Sequence, residues 1–238
     1  MSSQPIPASQ IPAFGPTVTL LVLLVVVDFI FIAVHALHVW SPWLAGGHFS
    51  MESYNGLASI YQYIKQVWLA GCLALAFLQT RSKVFVGWTL LFAFLLLDDA
   101  LELHERFGAI IAAALNFPAL LGLRPADLGE ISVAAAIGCV AVALVAITFR
   151  HGGKEARELS ADLMCLLAAL ALFGVFFDTL HTITYFKAPS VAEFFALIED
   201  GGEMLVVSAI TAYTFDLTSN AGRPRLGVWA WVRGNVPG

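Results

Sequence analysis

The residues of this sequence that could do chemistry sit beside its most apolar stretches. The run Asp98-Asp99-Ala100-Leu101-Glu102-Leu103-His104-Glu105 follows directly on a stretch of leucine, phenylalanine and alanine. Asp28, His35 and His38 come earlier; Glu130, then Asp178 with His181, then Glu199, Asp200 and Glu203 come later. Carboxylates crowded together raise one another's proton affinity, so such a set either holds protons or holds a cation. Mixed carboxylate and imidazole donors suit iron, manganese or zinc. Asp178-x-x-His181 has the spacing used by carboxylate-bridged di-iron bundles, in which facing helices add glutamates, although those bundles use two such units and this chain has one. The expected metal ligands are Asp98, Glu102, Glu105, Glu130, Asp178, His181, Glu199 and Glu203. His35, His38 and His104 are expected as further ligands or as the catalytic base.

The elements that must position these groups are set by composition. The chain has 238 residues, 59% hydrophobic and 12% charged, whereas a soluble domain carries about 25% charged residues. Such a chain needs lipid as part of its solvent. A helical span takes roughly 20 mostly apolar residues, and six stretches qualify: 17–39, 57–80, 83–105, 127–149, 160–186 and 190–215. Segment 108–122 is apolar but interrupted by Asn116 and Pro118, and reads as an interfacial or re-entrant piece. The expected fold is therefore an all-α integral membrane protein, a six-transmembrane-helix bundle with a short interfacial or re-entrant segment between spans 3 and 4. Residues 1–16 form an N-terminal tail, 17–215 the transmembrane domain and 216–238 a C-terminal tail. Arg81, Lys83, Arg150, Lys154, Arg157, Arg223, Arg225 and Arg233 fall on one side and Arg106, Arg124 and Lys187 on the other. The positive-inside rule then puts both termini in the cytoplasm of a cell (inner or plasma) membrane.

On that topology the titratable groups of the spans lie at mid-depth or in the outer half, and the inner halves of spans 2 to 5 read as sealed. At about 100° per residue, Asp98, Glu102 and Glu105 share a face of span 3, while His104 leaves that face unless the helix end unwinds. Asp178 and His181 are neighbours on span 5, and so are Glu199 and Glu203 on span 6. Other residues have plainer readings. Asp127 follows Arg124-Pro125 and suits helix capping. Glu193 lies three residues after Ser190, as in a capping box. Lys65 pairs with a site carboxylate, and Asp28 is a partner of a histidine or a lone protonated acid. Gly201-Gly202 serves close packing. Trp40, Trp43 and Tyr54 suit the headgroup region, and Cys72, Cys139 and Cys165 are buried free thiols.

The formal net charge of -5 excludes a nucleic-acid partner. Soluble nucleophile motifs are absent: there is no G-x-S-x-G, P-loop or HExxH. About a dozen acids face only Lys65, Arg106, Arg124 and Lys187 on the same side, which points to divalent metal, Fe, Mn or Zn, at one or two sites. The expected function is that of a membrane-embedded metalloenzyme, an oxidoreductase or hydrolase, acting on a lipid-like or small substrate. A divalent-cation or proton transporter is the alternative, and a metal-holding accessory subunit the second. The expected partners are the lipid bilayer and a lipid-like substrate, with a homo-oligomer or larger membrane complex left open.

Overall fold

The computed structural model describes residues 15–41, 44, 46–54, 56–120, 122–151, 153–185 and 187–220. The parts of the expected tails outside these ranges, and Trp43, lie outside the described residues. The chain is built from helices: α1 (Pro16–Trp40), α2 (Leu57–Thr80), α3 (Lys83–Leu101), α4 (Leu103–Leu115), α5 (Pro125–His151), α6 (Lys154–Ala171), a π-helical turn (Leu172–Phe177), α7 (Asp178–Thr184) and α8 (Pro189–Ser219). Proline opens α1, α5 and α8, where its fixed φ fits and its missing N–H is not needed. Three of the stops are left-handed: Arg81 (φ 57) ends α2, Glu102 (φ 52) ends α3 and Asn116 (φ 51) ends α4.

The expected six spans are corrected to four. Four helical stretches are long and apolar enough to cross a membrane: Pro16–Trp40, Lys83–Leu101, Pro125–His151 and the continuous run Lys154–Thr184. α2 and α8 fall outside this set because they carry the polar interior. Gln62, Lys65 and Gln66 of α2 are buried, and α8 carries Glu199, Asp200, Glu203 and Asp216. α8 packs against α1, α2, α6 and α7, so its polar groups face protein. The four apolar stretches instead expose Leu23, Phe29, Leu90, Val140, Ile147 and Phe176. Apolar surface on this scale marks a multi-pass membrane protein.

The expected continuous helix 83–105 is also corrected. A glutamate in the left-handed region is uncommon, and at Glu102 it breaks the helix, so α4 sets off separately. The segment expected to be re-entrant is largely this helix, and α4 packs tightly on α5. A Cβ on Gly129 would lie 2.0 Å from the Gly108 carbonyl oxygen, and one on Gly108 would lie 2.7 Å from the Glu130 nitrogen. Two glycines thus let the backbones touch, which fixes Glu130 beside α4.

The apolar core joins α2, α3, α6 and α8 through Leu69, Leu73, Trp88, Phe92, Leu163 and Ile210. Polar pairs also sit at this end of the bundle. Trp88 Nε1 donates to Ser160 Oγ (3.1 Å), Tyr213 Oη to Asp162 Oδ2 (3.0 Å) and Thr17 Oγ1 to Asp216 Oδ1 (3.0 Å). Asp162, inside the expected span 160–186, is buried, which corrects the reading that every acid of the spans lies toward the opposite end; Asp216, just past the last expected span, is buried as well. The cysteines are free, but Cys139 and Cys165 are exposed rather than buried, and Cys72 is half-buried.

Candidate metal centre

The π-helical turn precedes α7 and delivers Asp178 and His181 toward α8. A π turn takes an extra residue and so rotates the helix beyond it. Phe173 of the turn lies against Gly202, where a Cβ would come within 2.1 Å of its ring, and Glu203 Oε1 sits where a Cβ on Gly174 would be, 1.9 Å away. α8 is unbroken through Gly201 and Gly202, so these glycines serve packing, as expected.

Asp178, His181 and Glu199 converge: each offers a donor atom, and the three atoms lie within 4.8 Å of one another. His181 Nδ1 is 3.4 Å from Glu199 Oε2. All three residues are half-buried. Asp178 and Glu199 line a cavity of about 430 Å³ whose other acids are Asp98, Asp99, Glu105, Glu130, Asp200 and Glu203. His104 lines it too, because the break at Glu102 turns it inward; its Nδ1–H donates to Asp98 Oδ2 at 3.2 Å. That hydrogen bond pushes the His104 pKa up to about 9, burial opposing it.

Of the expected residues, Asp98, Glu105, Glu130, Asp178, Glu199, Glu203 and His104 share this cavity, with His181 in the triad at its wall. Glu102, His35 and His38 are not in its lining. Glu102 stands 3.7 Å from Arg106. His35 accepts from the Met51 N–H at 3.1 Å, and its Nε2 is 4.0 Å from Glu52. His38 Nδ1 lies 2.7 Å from the Leu44 carbonyl oxygen.

Three of the four cations expected to face these acids, Lys65, Arg106 and Arg124, pair with acids outside the cavity lining. Lys65 pairs with Asp28 (2.8 Å), not with a cavity acid. Arg124 pairs with Asp127 (2.6 Å), whose Oδ2 also accepts the Arg124 backbone N–H at the start of α5. The expected Ser190–Glu193 capping box does not form, because α8 begins at Pro189 with Ala188 before it and no side-chain cap.

Sequence reasoning missed Gln62 and Gln66, which line the cavity from α2. Their signal was four-residue spacing, which puts both on one helix face, beside a lysine in an otherwise apolar helix. Glu52 was missed as well. Burial first, then the Glu193 carboxylate, holds its carboxyl above the ordinary range, and the Glu199 carboxylate adds to this against the pull of His181.

An all-α, multi-pass membrane protein with an Asp-His-Glu triad able to chelate a metal is the class that fold and site define. Residues 17–217 match the family described as "Domain of unknown function (DUF8692)", and the chain belongs to that family. No curated protein and no solved structure matches the chain.

Proposed function

We propose that this protein is a membrane-embedded metalloenzyme whose metal is held by Asp178, His181 and Glu199. The observation that carries the reading is the triad itself: three donor atoms within 4.8 Å of one another at the wall of an acid-lined cavity. Catalytic metal sites typically keep about three protein ligands and leave a position open. Two carboxylates and one imidazole form a harder donor set than cysteine-rich zinc sites, so Fe or Mn is favoured over Zn. A bound metal supplies Lewis acidity, lowering the pKa of a water or polarising a substrate oxygen. Asp98, Glu105, Glu130 and Glu203 share the cavity and are candidates for a second cation or for proton transfer. His104, held protonated at neutral pH by Asp98, is the candidate proton donor rather than the expected base.

The test is elemental analysis of protein purified without chelator, beside His181→Ala and Asp178→Ala/Glu199→Ala. Stoichiometric metal in the wild type, lost in both variants, supports the centre. A metal-free wild type, or metal retained by the double variant, removes it. The transport reading has one observation in its favour: the polar pairs Tyr213–Asp162 and Thr17–Asp216 at the other end of the bundle. Leu69, Leu73, Trp88, Leu163 and Ile210 form a continuous apolar cluster nearby, which disfavours a conduit. Cation flux into proteoliposomes that disappears in Glu203→Gln would revive it.

A further inference from the structure

Beside the acid cavity lies a second, apolar cavity of about 490 Å³, and Ile137 lines both. On α3 the apolar part is walled by Gly87, Leu90 and Phe94, and the acid part by Leu95, Asp98 and Asp99. On α5 Ala136, Val140 and Leu144 line the apolar part and Glu130, Ala134 and Gly138 the acid part, on adjoining faces that meet at Ile137. α3 therefore leads from hydrocarbon wall to carboxylate, and its wall from Gly87 to Leu95 is about 12 Å long. At Gly87 the helices close on each other, since a Cβ there would lie 2.5 Å from Leu144 Cδ1. Elsewhere the crevice is open to the outside, with Leu90 66% and Val140 60% exposed. Because α3 and α5 are two of the long apolar helices, that outside is lipid.

The polar end has its own chemistry. Gln66 and Asp98 line the cavity and are each only 5% exposed, yet Gln66 Oε1 and Asp98 Oδ1 have no hydrogen-bond partner among the described residues. The Gln66 amide is oriented by its Nε2 donating to Asp99 Oδ2. Asp200 Oδ2 also lacks a hydrogen bond among the described residues. Every one of these atoms is an acceptor, and a buried acceptor without a donor is costly. The missing component is a donor, and among eight carboxylates a cationic donor is favoured.

We propose that the cavity binds a single-chain amphiphile with a primary ammonium head. The chain lies in the crevice between α3 and α5, and the head rests against Gln66 and Asp98. This names a substrate class for the metal-centre reading and rests on that reading for any reaction. The binding itself depends on the crevice and the α2–α3 wall. A chain gains little by leaving lipid for an apolar groove, so the head sets selectivity.

The experiment uses the full chain in phosphatidylcholine vesicles and an alkylamine carrying a terminal diazirine, with photo-adducts mapped by mass spectrometry. Adducts should concentrate on residues 87–94 and 133–144 and be displaced by dodecylamine but not by sodium dodecanoate. Ala136→Trp and Leu90→Trp, both at exposed positions of the crevice, should each lower the yield by about an order of magnitude, because an indole leaves no room for the chain. An unchanged unfolding temperature shows that these variants are folded. Adducts spread evenly over the exposed apolar faces, equal displacement by dodecanoate, or yields unaffected by either tryptophan would overturn the proposal. So would a dimer without crevice adducts, which gives the crevice to a second copy. Metal content of the same samples separates the two readings. Adducts in metal-free protein keep this site and remove the metal centre, and metal without adducts does the reverse.

Discussion

Two acid sites in this bundle differ in how their charges are met. Asp28 is fully buried, and all its needs are supplied: Lys65 Nζ at 2.8 Å and Ser208 Oγ at 2.5 Å. Lys65 in turn donates to the Met204 carbonyl (2.8 Å) and to Ser208 Oγ (3.1 Å). The cavity a short way along α2 and α8 holds eight carboxylates; imidazoles stand at Asp98 and Glu199 and the Gln66 amide at Asp99, and no Lys or Arg among the described residues is paired with them. A closed network of this kind ties α1, α2 and α8 together. An open one has spare acceptors and is built to meet something else.

The comparison breaks first at Lys65. Lys65→Met leaves Asp28 buried without its partner, and removing one member of a buried pair costs about 3–5 kcal/mol. The unfolding temperature in detergent should fall steeply, and Asp28→Leu/Lys65→Met should recover most of the loss. A single variant as stable as wild type would dissolve the contrast. Metal removal acts on the other site alone. Stabilisation by a ligand at 100 times its Kd is about 2.7 kcal/mol, so chelation should lower the wild-type unfolding temperature. It should leave Asp178→Asn/Glu199→Gln unaffected and the effect of Lys65→Met unchanged.

Gly129→Ala sharpens the account of how the cavity is held open. Its Cβ would meet the Gly108 carbonyl oxygen at 2.0 Å, and overpacking of this sort costs about 1–3 kcal/mol. Because the change also displaces Glu130, metal content should fall along with thermal stability; loss of stability alone would detach α4 from the site.

The smallest effect is electrostatic. His104 has its pKa raised from 6.5 to about 9 by Asp98. A group raised on folding stabilises fully below its unfolded pKa and stops doing so as pH rises through the folded value. The stability gap between wild type and His104→Gln should therefore be widest near pH 6 and close between about pH 6.5 and pH 9, as read by thermal unfolding. A gap constant across that range would mean the imidazole acts by packing.

Helix positions followed from apolar runs because lipid-facing surface leaves a long, local signature. The number of lipid-spanning stretches did not, because polar residues on α2 and α8 serve the interior rather than interrupt an apolar span. The site was partly legible. Asp178 and His181 are three apart, so any helix makes them neighbours, and Glu199 required only that α8 return beside them. Lys65 illustrates the limit: its partner Asp28 is 37 residues away, and nothing in periodicity selects that acid over Asp98 or Glu203. Glu102 illustrates another. Its left-handed backbone (φ 52) withdraws it from the face it would share with Asp98 and brings in His104 instead.

The π turn at Leu172–Phe177 also bears on how such a centre is gained or lost. An α-helix and a π turn differ by one residue per turn. Wound as a regular α-helix, the same residues would swing Asp178 and His181 by about 100° around the axis, out of reach of Glu199. Deleting one residue of the turn would instead restore regular winding and leave both side chains facing α8. In related chains, the Asp-x-x-His spacing beyond this turn is thus a more telling trait than the length of the turn.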